Sequence, residues 1–214
     1  MLYYRNWSRG GRLFLWFLLG FAVIAVLVMF DRTASFDNFI IRNVQSAESP
    51  VLTAIAKNLS LVGSTWFVVV ISLVTITLLF LVLKHRMELI LFVWVAVGSQ
   101  LLNTLFKFWF RRERPTIHRL IEQEGFSFPS GHSMAAFSLY GAIAYLLWRH
   151  MRHRAQRILL ILFTVLMTAG IGWSRVYLGV HYPSDVIGGY AASGAWLMLS
   201  IAIFEAYRTR KQRK

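Results

Sequence analysis

The sequence predicts an all-α integral membrane protein, a bundle of six transmembrane helices. Three observations predict it. Of the 214 residues, 57% are hydrophobic and only 15% are charged, a balance too apolar for an ordinary soluble domain. Six apolar runs of 16–19 residues cover 13–30, 67–83, 89–106, 133–148, 158–173 and 186–204, close to the ~17–25 residues a helix needs to cross a bilayer. The charges are concentrated between those runs, and 23 Lys/Arg against 9 Asp/Glu give a net charge of +14. A chain this basic invites a nucleic-acid reading, but its cations form no patch on a soluble face, so no nucleic-acid partner is expected. The absence of cysteine excludes disulfides, thiolate catalysis and Cys-based zinc sites.

The elements follow in order. The run at 13–30 lacks a small-residue cleavage site before Asp31 and is long for a signal-peptide core, so it is read as a retained span. In 31–66, Phe36, Phe39, Ile40 and Val44 fall at helix-like spacing, the pattern of an interfacial helix beside the bundle. Runs 67–83 and 89–106 flank a short basic turn. Gln100 and Asn103 near the end of the second point into the bundle, as interhelical hydrogen-bond partners or as a polar entry path. Runs 133–148 and 158–173 are the shortest, and either extend past these limits or cross a thinner region. The run at 186–204 completes the bundle. With no linker, low-complexity tract or internal repeat, residues 1–214 read as one domain.

Six spans put both termini on one side. The N-terminus, 84–88, 149–157 and the tail carry 14 Lys/Arg and two acids; 31–66, 107–132 and 174–185 carry nine Lys/Arg and seven acids. The first set is cytoplasmic by the positive-inside rule. Its tail, 208–214, is a basic anchor suited to anionic lipid. The outer loops need no cations for topology, yet five lie between 107 and 119 and Arg175 lies in the next outer loop. Cations held there call for an anionic ligand.

Three clusters carry chemistry. In Lys107–Pro115, a helix continuing to about Arg114 would put Lys107 and Arg114 on one face, half of a phosphate clamp. The plainer reading is a belt of interfacial cations and aromatics. In Phe128-Pro129-Ser130-Gly131-His132, Ser130 suits an N-cap, Gly131 permits close backbone approach, and the helix start favours an anion beside His132. The plainer reading is an ordinary turn. In Ser174–Asp185, Pro183 suits a first helical position. Asp185 can then hold one imidazole nitrogen of His181 and free the other as a base or nucleophile. Here the plainer reading is a capped helix with an interfacial histidine. All three clusters lie at the outer end of the bundle, so their residues can converge.

Lys107–Pro115 fits K-x6-R-P, Pro129–His132 fits P-S-G-H, and Ser174–Asp185 fits S-R-x5-H-x3-D, eleven fixed positions in order. In these motifs the chain resembles the type 2 phosphatidic acid phosphatase superfamily, above all its small bacterial membrane members. The resemblance implies a phosphatase of lipid phosphates, with His181 as nucleophile forming a phosphohistidine and Asp185 orienting it. It makes His132 the general acid and has Lys107, Arg114, Ser130, Gly131 and Arg175 bind phosphate oxygens. No metal or other cofactor is implied, so activity should survive a chelator. Paired histidine roles imply a bell-shaped pH profile. The implied partners are the bilayer and a phospholipid or polyprenyl phosphate, met at the extracytoplasmic face of the cell membrane. Family likeness favours phosphatidylglycerol phosphate over phosphatidic acid or undecaprenyl diphosphate. Arg111, Arg112, Arg119 and His118 offer a second phosphate site or nonspecific headgroup contacts. The competing functions are a lipid phosphotransferase and a non-catalytic lipid transporter.

Overall fold

The computed structural model describes residues 2–212, so Arg213 and Lys214 of the basic tail lie outside the described residues. The chain runs through α1 (Leu2–Met29), α2 (Ala34–Gln45), α3 (Pro50–Val62), α4 (Thr65–Thr77), α5 (Arg86–Phe110), α6 (Gly131–Trp148), α7 (Arg154–Tyr177) and α8 (Pro183–Lys211). A π-helical turn, Leu78–Val82, prolongs α4. Among the described residues there is no strand. Each of the six apolar runs falls on one long helix, counting α4 with its π turn as one.

Five of these helices are long and apolar enough to cross a membrane: Gly10–Met29, Thr65–Val82, Arg86–Phe110, Arg154–Tyr177 and Pro183–Lys211. The sixth, α6, is diluted by Gly131, His132, Ser133, Ser138 and Gly141, because it lies inside the bundle rather than against lipid. Ser138 donates to Ser99 of α5 at 2.8 Å, and Ser193 of α8 donates to the Met134 carbonyl at 3.1 Å. Such bonds hold helices together where the surrounding medium is itself apolar. The run at 158–173 is extended at both ends within the 24 residues of α7.

The most buried of the membrane-crossing helices is α8. Small residues let its neighbours approach: a side chain at Gly194 would strike the Phe17 ring of α1, and one at Gly188 would meet Phe128. Against this centre, Trp16 of α1, Leu73 of α4, Trp94 and Leu105 of α5 and Leu166 of α7 turn outward. That apolar surface is the face a bilayer covers.

The outer segment 31–66 folds as two helices. In α2, Phe36 and Phe39 are exposed while Ile41 is buried and Ile40 and Val44 pack beside it, so the four apolar residues grouped from the sequence divide between an exposed and a packed side of the helix. Ser49 caps α3 by accepting from the Leu52 N–H at 3.3 Å, and Pro50 takes a first-turn position that needs no donor.

One expectation is corrected. Instead of continuing to Arg114, α5 ends at Phe110, where Arg111 turns left-handed with φ 47°. Residues 111–130 form a loop without regular helix. Pro115 disfavours helix at Arg114, and main-chain carbonyls of the loop capture the Arg114 side chain, so Lys107 and Arg114 do not share a helix face.

Candidate active site

The site forms where the start of α6, the end of α7 and the start of α8 meet the loop after α5. Ser130 caps α6, accepting from the Ser133 N–H at 3.4 Å. Its own N–H donates to the Asp185 carbonyl at 3.1 Å, which ties the starts of α6 and α8 together. Pro183 opens α8, and Asp185 in the first turn accepts from the Tyr182 N–H at 2.9 Å. The link between α7 and α8 turns at Gly179, whose φ of +72° suits glycine. A side chain there would also collide with the His118 carbonyl.

His181 is 1% exposed. Its Nε2 lies 3.1 Å from Arg114 Nη1, and its Nδ1 lies 3.4 Å from Asp185 Oδ2. A guanidinium only donates, so Nε2 is the unprotonated nitrogen and Nδ1 carries the hydrogen toward Asp185. The Ser127 hydroxyl sits 3.4 Å from Nδ1 and donates to Asp185 Oδ2. Burial above all pushes the imidazole down to about 3; Asp185 opposes that shift, and Arg114 and Arg175 reinforce it. His181 is therefore a neutral imidazole with its lone pair on Nε2, the form a nucleophile needs.

The cations are held by neutral oxygens. Arg114 donates to the carbonyls of Gly125, Val180, Glu124 and Phe126 at 2.8–3.1 Å, and Lys107 Nζ donates to Phe126 O at 2.8 Å. Arg175 is 1% exposed; it donates to Ser60 of α3 and, at 2.8 Å, to Gln123. Its Nε is buried without a partner. An unsatisfied buried donor is costly, and an anion's oxygen would satisfy it.

His132, Gly131 and Lys107 are half-buried. Arg175, His181, Lys107 and Arg114 are all within electrostatic reach of His132. Its ring rests against the end of α3, where a Cβ on Gly63 would come within 3.2 Å of His132 Cδ2. All eight residues expected at the site thus gather at one end of the bundle. Among the described residues, no group of three or more His, Asp or Glu converges as a metal site.

Of the four residues offered for a second phosphate or for headgroup contacts, three have partners within the outer segments. Arg112 is bound to Asp185 and Asp37, His118 Nε2 pairs with Glu48 at 2.7 Å, and Arg119 donates to the carbonyls of Pro115 and Arg114. These groups brace the outer loops. Arg111 is exposed and bonds the Phe108 carbonyl. Gln100 is exposed on α5, whereas Asn103 is buried and donates to Pro129 O at 3.1 Å, so it fixes the approach to Ser130. Sequence reasoning missed Ser127, Ser60, Gln123, Gly63 and Asp37. Only Asp37 left a signal, as an acid within the apolar spacing of α2.

Comparison with known proteins agrees with this geometry. The PAP2 superfamily profile matches residues 88–209. Phosphatidylglycerophosphatase B of Bacillus subtilis (strain 168) is 31% identical over 180 residues, which cover 84% of this chain and 86% of that protein. A lipid A 1-phosphatase of Rhizobium johnstonii is 42% identical over 77 residues, 36% of this chain and 27% of that protein. The crystal structure of a transmembrane PAP2-type phosphatidylglycerolphosphate phosphatase from Bacillus subtilis superposes with a TM-score of 0.73 at 28% identity, covering 91% of this chain and 94% of that one. By its motifs, its fold and these matches, the chain belongs to the PAP2 superfamily and is a multi-pass membrane lipid phosphatase, a phosphoric monoester hydrolase.

Proposed function

We propose that this phosphatase removes the terminal phosphate of phosphatidylglycerol phosphate at the extracytoplasmic face of the cell membrane, through a phosphohistidine at His181. The observation that carries the mechanism is the placement of His181 between Arg114 and Asp185, Nε2 3.1 Å from Arg114 Nη1 and Nδ1 3.4 Å from Asp185 Oδ2, which assigns the hydrogen to Nδ1 and the lone pair to Nε2. Nε2 attacks phosphorus as the bond to the lipid alcohol oxygen breaks, and His132 gives that oxygen its proton. Water then attacks phosphorus, the P–N bond breaks, His132 takes the water's proton, and inorganic phosphate leaves. Lys107, Arg114, Arg175, Ser130 and the Gly131 backbone cradle the equatorial oxygens, where phosphoryl transfer needs charge stabilisation most. Asp185 offsets the positive charge that develops on His181.

The Bacillus subtilis relatives named for phosphatidylglycerol phosphate match most of this chain and support that substrate. The distribution of cations supports the orientation, with termini cytoplasmic and the motif loops outside. One six-span domain covers residues 1–214. Phosphate release from phosphatidylglycerol phosphate, phosphatidic acid and undecaprenyl diphosphate in defined micelles, with and without EDTA, tests the reading. Turnover of the first, unaffected by EDTA and absent from His181→Ala, is expected. No turnover of it removes the substrate; persistent turnover in His181→Ala removes the mechanism. A phospholipid product in place of free phosphate would mark a phosphotransferase.

A further inference from the structure

Asp185, which faces His181, is itself held from behind. Arg112 Nη1 donates to Asp185 Oδ1 and to Ser184 Oγ, both at 2.7 Å. Nη2 of the same guanidinium donates to Asp37 Oδ2 at 2.9 Å and to Thr33 Oγ1 at 3.0 Å. The guanidinium lies over the Tyr182 ring, 4.1 Å from its centroid. Asp37, on α2, also accepts from the Ser184 N–H at 2.9 Å and the Ser184 hydroxyl at 2.7 Å. It is 0% exposed. Asp37 precedes the stretch matched by the family, which begins at residue 88.

We propose that Arg112 and Asp37 are positioning residues for the hydrolysis: Arg112 fixes the Asp185 carboxylate, and Asp37 occupies the guanidinium so that Asp185 keeps its negative charge toward His181. The inference rests on the reading of His181 as nucleophile and Asp185 as its orienter.

Charge counting carries it. One guanidinium stands between two carboxylates, so the group has a net charge of −1 facing an imidazole that turns positive as it attacks phosphorus. Without Asp37, Arg112 would neutralise Asp185 alone, and that stabilisation would be lost. Asp37 also ties α2 to the first turn of α8 through Ser184, and removing one partner of a buried ion pair destabilises a fold, so the positioning role is read from kinetics of folded variants rather than from stability.

The test is steady-state kinetics of the full-length protein in phosphatidylglycerol phosphate micelles. Asp37→Asn is expected to lower kcat roughly tenfold, the equivalent of one pK unit of lost charge stabilisation, with KM within about twofold. Asp37→Glu should recover part of the loss. Arg112→Gln leaves both carboxylates unneutralised, so protonation of His181 becomes easier. The break of the acid limb of kcat/KM, where His181 titrates among Asp185, Arg114, Arg175 and His132, should move up by ~1 unit. The substrate's own ionisation is common to all variants and cancels in that comparison. If a neutral variant fails to fold, Arg112→Lys decides, because it keeps the charge without the two-sided fork and should lower kcat at constant KM. Wild-type kcat in folded Asp37→Asn, a change confined to KM, or an unmoved limb in Arg112→Gln overturns the inference. His181→Ala, run alongside, separates the two claims: turnover there removes the nucleophile assignment, whereas a dead His181→Ala beside an unaffected Asp37→Asn removes only the positioning role.

Discussion

Replacing Asp185 by Asn keeps the shape of the side chain and changes only what it can accept, so its effect can be worked out atom by atom. Oδ1 receives a guanidinium N–H from Arg112 at 2.7 Å. Oδ2 receives the Ser127 hydroxyl, the Tyr182 N–H at 2.9 Å and the His181 Nδ1 side at 3.4 Å. A guanidinium cannot accept, so the amide oxygen must take the Oδ1 position and the NH2 the Oδ2 position. The NH2 then faces the Tyr182 N–H, which can only donate, and His181 Nδ1, which must give up its hydrogen to accept. The imidazole proton moves to Nε2, the nucleophilic lone pair is lost, and Nε2–H points at the donating Arg114. An inverted tautomer in a histidine-dependent site costs ~10³–10⁴ in kcat, ~4–5.5 kcal/mol of barrier. The opposed donors cost ~1–3 kcal/mol of stability, a loss of several degrees in Tm for a chain of this size. Phosphate release in micelles gives the first quantity and thermal melting in detergent the second. Asp185→Asn within tenfold of wild-type kcat, while still folded, would refute the tautomer argument and with it the orienting role.

Three further outcomes follow from the geometry. A Cβ on Gly63 would come within 2.5 Å of Ile171 Cγ2 and 3.2 Å of His132 Cδ2; Gly63→Ala should therefore displace the imidazole and lower kcat roughly tenfold, and kcat within twofold of wild type would show that His132 is not sterically placed from α3. His181 titrates near 6.5 when exposed and near 3 when folded, so the unfolded chain binds the extra proton and acid favours unfolding. The folded state should keep its full stability above about 6.5 and lose on the order of 1.4 kcal/mol per unit as the pH falls toward 3; melting curves of wild type and His181→Gln that run parallel below pH 6.5 would contradict this. Because the chain has no cysteine, single-cysteine variants report topology: an impermeant maleimide should label Ile117→Cys in intact cells and spare Arg152→Cys, and the reverse would invert the orientation.

How much was legible in the sequence depended on the range of the interaction. Apolar runs mark where a helix meets lipid, so each of the six fell on a long helix; the caps at Ser130 and Pro183 were legible because they depend on adjacent residues. The end of α5 was misplaced because it is set by carbonyls as distant as Val180, which draw Arg114 out of the helix. Arg112 was misread for the same reason. As one of five cations in the 107–119 stretch it looks like a phosphate ligand, and only the fold brings Asp37 to it from a helix some seventy-five residues away. Ser60 of α3 and Gly63 just past its end lie outside all three motifs, and nothing in their local sequence ties them to Arg175 and His132.

The division of the site by depth bears on how a lipid is attacked. His181, Asp185, Arg114, Arg175 and Ser130 are buried, whereas Lys107, Gly131 and His132 lie at intermediate depth. In-line phosphoryl transfer places the attacking and leaving oxygen or nitrogen atoms on opposite sides of phosphorus. A lipid's alcohol oxygen stays attached to chains that remain in the bilayer, so it must leave toward the open side, and the nucleophile must come from behind. A buried His181 behind the phosphate and a half-buried His132 on the leaving side fit the proposed order of nucleophile and acid. The burial gradient is therefore a second line of support, beside the motifs, for the proposed roles of His181 and His132. Single-turnover trapping supplies the check: His132→Ala should still accumulate phosphoenzyme from a substrate whose leaving group needs no proton, and His181→Ala should accumulate none.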